Sequence, residues 1–109
     1  MNEISIVFVT AASQEEATRI AQTLVEERLA ACANIVASIR SIYRWKDKIC
    51  DEQEFLIIFK TRTSKYESLE KRVKELHSYE VPEIVTFPVA RGLPRYLDWV
   101  MEQTETATP

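Results

Sequence analysis

The chain has 109 residues, 46% of them hydrophobic and 28% charged, with one Gly, four Pro and two Cys, which is one globular domain's worth of ordinary sequence. A chain of this length buries about two-thirds of its unfolded surface without staples. Two cysteines make no disulfide framework, and no run of about 18 apolar residues is present to span a bilayer, so membrane insertion is not expected. A formal net charge of −3 leaves little to gain from counterion release on a polyphosphate, so nucleic acid is not expected as a partner. The start, Met1-Asn2-Glu3, lacks a basic segment and the apolar stretch after it is too short for a signal peptide, which reads as a cytoplasmic chain.

Positions 4–10, ISIVFVT, are β-branched and nearly all apolar, as in a strand buried on both faces. Ser13 and Glu16 then form a capping box, predicting a helix in which Ala17, Ile20, Ala21, Leu24 and Val25 share one face. Ala30, Ala31, Cys32 and Ala33 narrow the chain where it must turn, and strand formers from Ile35 to Trp45 predict a long second strand. After the polar break at Lys46, Asp47 and Lys48, positions 54–61 resume the β pattern and complete a long hairpin. Ser64 and Glu67 read as a second capping box, opening a helix that carries Tyr66, Leu69, Val73 and Leu76 to about His77. Val81-Pro82 forces extended backbone, and positions 84–89 make a last strand whose Pro88 marks an edge or an end. A terminal helix follows over positions 95–103, with Tyr96, Leu97, Val100 and Met101 inward, and 104–109 reads as a frayed tail.

The order βαββαβ plus a C-terminal helix predicts an α+β, ferredoxin-like sandwich: a four-stranded antiparallel sheet with both long helices on one face, in a single domain over 1–109. Apolar residues occur at both parities of the hairpin strands, so the second face needs a cover. In so small a chain the simplest cover is another copy of itself.

Four segments carry possible chemistry. Cys32 sits among small residues where a ligand can approach, and equally fits a small buried hydrophobe. His77, Ser78, Tyr79, Glu80 and Glu83 put imidazole, phenol and carboxylates at a helix C-terminus, where His77 also suits the helix dipole. Tyr43 and Trp45 fit a pocket lining or cross-strand packing. Lys60 and Arg62 fit an anion site or a soluble strand end. Cys50 has no partner at metal-finger spacing, and a lone Gly92 excludes phosphate-loop and dinucleotide fingerprints.

The run from Leu24 to Ile35, then Ser41 to Trp45, Lys60-Thr61, His77 to Glu83 and Tyr96 to Trp99, in this order and spacing, resembles the CutA divalent-cation-tolerance family over almost the whole chain. The resemblance implies a ferredoxin-like homotrimer, PII-like in assembly, that binds copper or other divalent cations and has no established reaction. Carried over by position, it implies clustered cleft residues at Cys32, Trp45, Lys60, His77, Tyr79 and Glu80; among them Cys32 and His77 are the soft and borderline donors expected to hold copper, with Glu80 as an oxygen ligand. Ser78 stands where the family usually has Pro, which is expected to loosen the backbone beside His77. Cys50 falls outside the family motifs. Three rival functions remain: a PII-like regulator holding a small anion in intersubunit clefts through Lys60, an enzyme using His77 as general base with Glu80 as orienter, and an RNA-recognition domain. The last lacks the Gly-flanked stacking aromatics on its third strand, FLIIF at 55–59.

Overall fold

The computed structural model describes residues 3–105. Its elements run β1 (Ile4–Ala11), α1 (Gln14–Glu26), β2 (Cys32–Trp45), β3 (Lys48–Arg62), a 3-10 turn (Thr63–Lys65), α2 (Tyr66–Leu76), β4 (Ile84–Pro88) and α3 (Pro94–Gln103). The sheet order is β2-β3-β1-β4 and every neighbouring pair is antiparallel, which is the expected ferredoxin-like α+β sandwich. Pro88 lies at the end of the edge strand β4, where a missing N–H breaks no inner ladder.

One sheet face is finished by α1 and α2. Val7, Val9, Ile57 and Phe59 alternate with outward neighbours and pack fully buried against Ile20, Leu24, Leu69 and Val73. The other parity, Ile6, Phe8, Leu56 and Ile58, is only half-buried. There α3 covers one end alone, where Val100 packs on Ile4 and Ala31. Arg62 fixes that helix by donating to the carbonyl of Met101 and to Thr104 Oγ1. Thr104 is therefore fully buried, and donates to Val100 O at 2.8 Å, rather than starting a frayed tail; residues 106–109 of that expected tail lie outside the described ones.

The hairpin is longer than expected, because β3 begins at Lys48 rather than Glu54. Lys46 and Asp47, at φ 49° and 64°, form the two-residue turn whose twist suits a hairpin. The β1 ladder stops at the pair Ala11 and Phe55, so the pairs from Ile39–Glu54 to Trp45–Lys48 project beyond it, about 24 Å at 3.4 Å per residue. A bulge between Val36 and Ile39, with Ser38 at φ 63°, turns this overhang and swaps the parity of β2. Even-numbered residues share a face with Leu56 and Ile58 before the bulge, and odd-numbered ones with Glu54 after it.

Capping differs from the expected pattern at both helices. Ser13 does accept from Glu16 N–H at 3.1 Å, but Glu16 returns its carboxylate to Ala12 N–H, one residue earlier than a capping box requires. The second box is not used. The 3-10 turn takes up Thr63–Lys65, and α2 starts at Tyr66 from a Lys65 cap without a side-chain bond.

Candidate functional site

The overhanging hairpin and the segment after α2 enclose a cleft of about 690 Å³. Thr10 and Glu54, 5% and 6% exposed, form its floor. Tyr43, Trp45 and Tyr79 supply aromatic wall, while Glu80 and Glu83 stand exposed at the mouth. Tyr79 Oη donates to Glu54 Oε2 at 2.7 Å, and Tyr43 Oη donates to Glu52. Burial, then the bond to Glu54, pushes the Tyr79 phenol well above its ordinary range. For Tyr43 the bond to Glu52 leads, followed by desolvation. Both phenols are therefore neutral donors at pH 7. Arg40 is committed to Asp51 through two bonds of 2.9 and 2.7 Å.

The segment carrying Tyr79 and Glu80 is held by a polar clasp at the end of α2. The His77 side chain is fully buried, with Nε2 2.6 Å from Thr10 O. A carbonyl oxygen only accepts, so Nε2 carries the hydrogen, and Nδ1 accepts from Tyr79 N–H at 3.1 Å. Both ring nitrogens are thus spent on backbone, and the ring is the neutral tautomer rather than a cation complementing the helix dipole. Beside it lies Glu16, 5% exposed, accepting from Ala12 N–H at 3.2 Å and from Ser78 N–H at 2.7 Å. Burial raises the Glu16 pKa, but the hydrogen bonds from Ser78 and Ala12 outweigh it and hold the carboxyl below its ordinary value. Ser78 donates to Glu16 an N–H that a proline at this position lacks.

Cys32 lies elsewhere. It opens β2 opposite Lys60, on the face away from α1 and α2, with Sγ 3.6 Å from Tyr96 Oη on α3. Burial, then the contact with Cys32, pushes the Tyr96 phenol up to about 12. The Lys60 ammonium donates to Asn34 Oδ1. Lys60 is four ladder positions from Leu56, which pairs with Thr10, so about 14 Å of strand separates the Cys32 end from the His77 end.

Of the six residues singled out from the sequence, the cleft gathers Trp45, Tyr79 and Glu80. His77 stands behind it as a clasp, and Cys32 and Lys60 pair across the sheet at a distance. Within one chain Cys32, His77 and Glu80 do not share a metal, and among the described residues no three His, Cys, Asp or Glu side chains converge on one. The carboxylate beside His77 is Glu16, not Glu80, and the buried, doubly bonded ring has no free nitrogen for a base. Cys50 is a free, half-buried thiol opposite Tyr43. Sequence reasoning missed Thr10, Glu16 and Glu54. Glu54 carried one usable signal, a charge at the start of an otherwise apolar strand run.

A family model described as CutA1 divalent ion tolerance protein matches residues 5–103. The chain is 52% identical over 99 residues to the divalent-cation tolerance protein CutA of Thermus thermophilus, covering 91% of this chain and 96% of that one. It is 43% identical over 105 residues to mouse Protein CutA, covering 96% of this chain but 59% of the mouse protein, so it spans little over half the length of that relative. Among solved structures, the Thermus thermophilus Cut A1 protein superimposes with a TM-score of 0.91 at 50% identity, covering 94% of this chain and 99% of that one. CutA1 of Oryza sativa gives 0.93 at 38% identity, covering 97% of each.

Proposed function

We propose, from the premise that this chain belongs to the CutA1 divalent ion tolerance family, that it serves cation tolerance as a non-catalytic homotrimer binding copper or another divalent cation. The observation that carries the assembly is the second sheet face. Val36, Val85 and Phe87 on it are 41%, 48% and 41% exposed beside half-buried Ile6, Phe8 and Ile58, an apolar surface running across neighbouring strands of the kind that marks an interaction site. A PII-like trimer closes that face with copies of itself.

The same reading places the cation at Cys32. It is the accessible soft donor of the expected set, and thiolate draws copper most strongly among divalent ions. His77 is spent on backbone, so the remaining donors come from a neighbouring copy, with Glu80 as an oxygen candidate. Two free thiols, Cys32 and Cys50, suit a reducing, cytoplasmic compartment. The PII-like anion reading has less support, because Lys60 already engages Asn34.

Anaerobic titration of Cu(I) and Cu(II) into wild type, Cys32→Ser, Cys50→Ser and Glu80→Gln, with mass measured by light scattering on each sample, tests both parts. Expected are a trimer throughout and a loss of at least about tenfold in copper affinity for Cys32→Ser, with weaker binding as pH falls because the thiol must lose its proton. A folded wild-type monomer overturns the assembly. Unchanged affinity in Cys32→Ser, or a loss confined to Cys50→Ser, overturns the site.

A further inference from the structure

The hairpin cleft has a chemistry that copper at Cys32 does not use. Its volume of about 690 Å³ falls within the span of small-molecule sites, and its lining mixes aromatic and aliphatic side chains with charged ones. Three aromatic rings, Tyr43, Trp45 and Tyr79, line it together with the buried carboxylate of Glu54 and the exposed carboxylates of Glu80 and Glu83. The cations that also line it are partly spent: Arg40 is paired with Asp51, and the Lys46 ammonium stands 6.0 Å from the centre of the Trp45 ring. What remains is a negative surplus of Glu54, Glu80 and Glu83 beside three aromatic rings.

The geometry points to a small aliphatic diammonium ion as the ligand of this cleft. One ammonium reaches Glu54, whose Oε2 takes the Tyr79 hydroxyl and whose other oxygen is the acceptor left for it. The alkyl chain lies along the rings, and the second ammonium meets Glu80 or Glu83 at the mouth. Electron-rich faces favour ammonium groups and alkyl chains together. A bare divalent metal suits the place less well, since it requires several converging oxygen donors, and no three acidic, His or Cys side chains among the described residues converge. The inference shares only Glu80 with the copper reading and is tested through Glu54, which that reading does not use.

The test uses 1,4-diaminobutane against 1,4-butanediol, equal in chain but uncharged, on the protein in its native assembly. The chain has two tryptophans, so Trp99→Phe leaves Trp45 as the sole indole reporter in the cleft. Saturable quenching by the diamine with a Kd on the order of 1 mM is expected, with the diol about tenfold weaker or more. Glu54→Gln keeps an acceptor for the Tyr79 hydroxyl and removes the charge, so it should weaken the diamine about tenfold and leave the diol unchanged, a fold-change typical of one desolvated ammonium contact. No saturable binding in the intact assembly, which includes the case of a neighbouring copy filling the cleft, overturns the inference. So does equal binding of the diol, or an unaltered diamine affinity in Glu54→Gln. Mass and copper titration on the same samples keep failure here distinct from failure of the metal reading.

Discussion

The two faces of the sheet are made by alternate residues of the same strands, yet they end differently. On the covered face Val7, Val9, Ile57 and Phe59 have every neighbour they need inside the chain. The clasp above it is equally closed: His77, Glu16 and Ser78 satisfy one another and the backbone of Ala12, Thr10 and Tyr79. On the open face Phe8 and Phe87 meet edge to face at 5.1 Å and then stop at solvent. The difference arises because two long helices cover one side of a four-stranded sheet, and α3 reaches only the Ile4 end of the other. A strand that looks apolar on both parities is therefore core on one of them and exposed apolar surface on the other.

Adjacent residues offer the sharpest way to break that distinction. Ile57→Asp puts a charge into the fully packed side, a cost of the order of the chain's whole stability, so no cooperative unfolding transition should remain by circular dichroism. Ile58→Asp puts the same charge one residue away on the open side. The protein should keep its secondary structure and lose its assembled mass in light scattering. Equal melting and equal mass for the two variants would erase the difference between the faces.

The clasp should yield an intermediate effect. Glu16→Gln trades a carboxylate oxygen for a donor facing an N–H, costing about 1–3 kcal/mol at neutral pH. The Glu16 carboxyl is held below its ordinary value in the folded chain, so the unfolded state binds the proton more readily. Its contribution is then full above the unfolded value of about 4.3 and is lost as pH falls through the lower, folded one. Wild type should lose stability over that acid window more steeply than Glu16→Gln. Parallel curves in thermal melts from pH 7 to about pH 3 would show that this carboxylate does not tie α1 to the turn after α2.

Much of this was legible before the structure, and the exceptions share a cause. The element order, the edge or end position of Pro88 and a long hairpin follow from local pattern, which sequence carries directly. The bulge at Ser38 does not, because neither Ala37 nor Ser38 marks a positive φ, and yet it sets which hairpin residues face the cleft. The clasp was equally hidden. Glu16 reads as a capping residue from its own helix, whereas its second partner, Ser78, is 62 positions away. Likewise His77 looks like an available imidazole until Thr10 O and Tyr79 N–H are brought to its two nitrogens. Local signals specify elements, but partners arriving from other strands decide whether a donor is free.

Ser78 provides the smallest and most specific test of the closed region. Ser78→Ala removes the hydroxyl and keeps the N–H that reaches Glu16 at 2.7 Å, whereas Ser78→Pro removes the N–H itself. The proline variant should be destabilised by about 1 kcal/mol more than the alanine one, the typical worth of a hydrogen bond to a charged acceptor after proline's stiffening of the unfolded chain is offset. A strained proline ring would give the same sign, so the deciding measurement is a double-mutant cycle. If the N–H to carboxylate bond is the cause, the further cost of Ser78→Pro over Ser78→Ala should shrink in a Glu16→Gln background, with a coupling of at least about 0.5 kcal/mol. Strictly additive losses in urea melts would assign the effect to backbone strain and leave Glu16 with Ala12 alone.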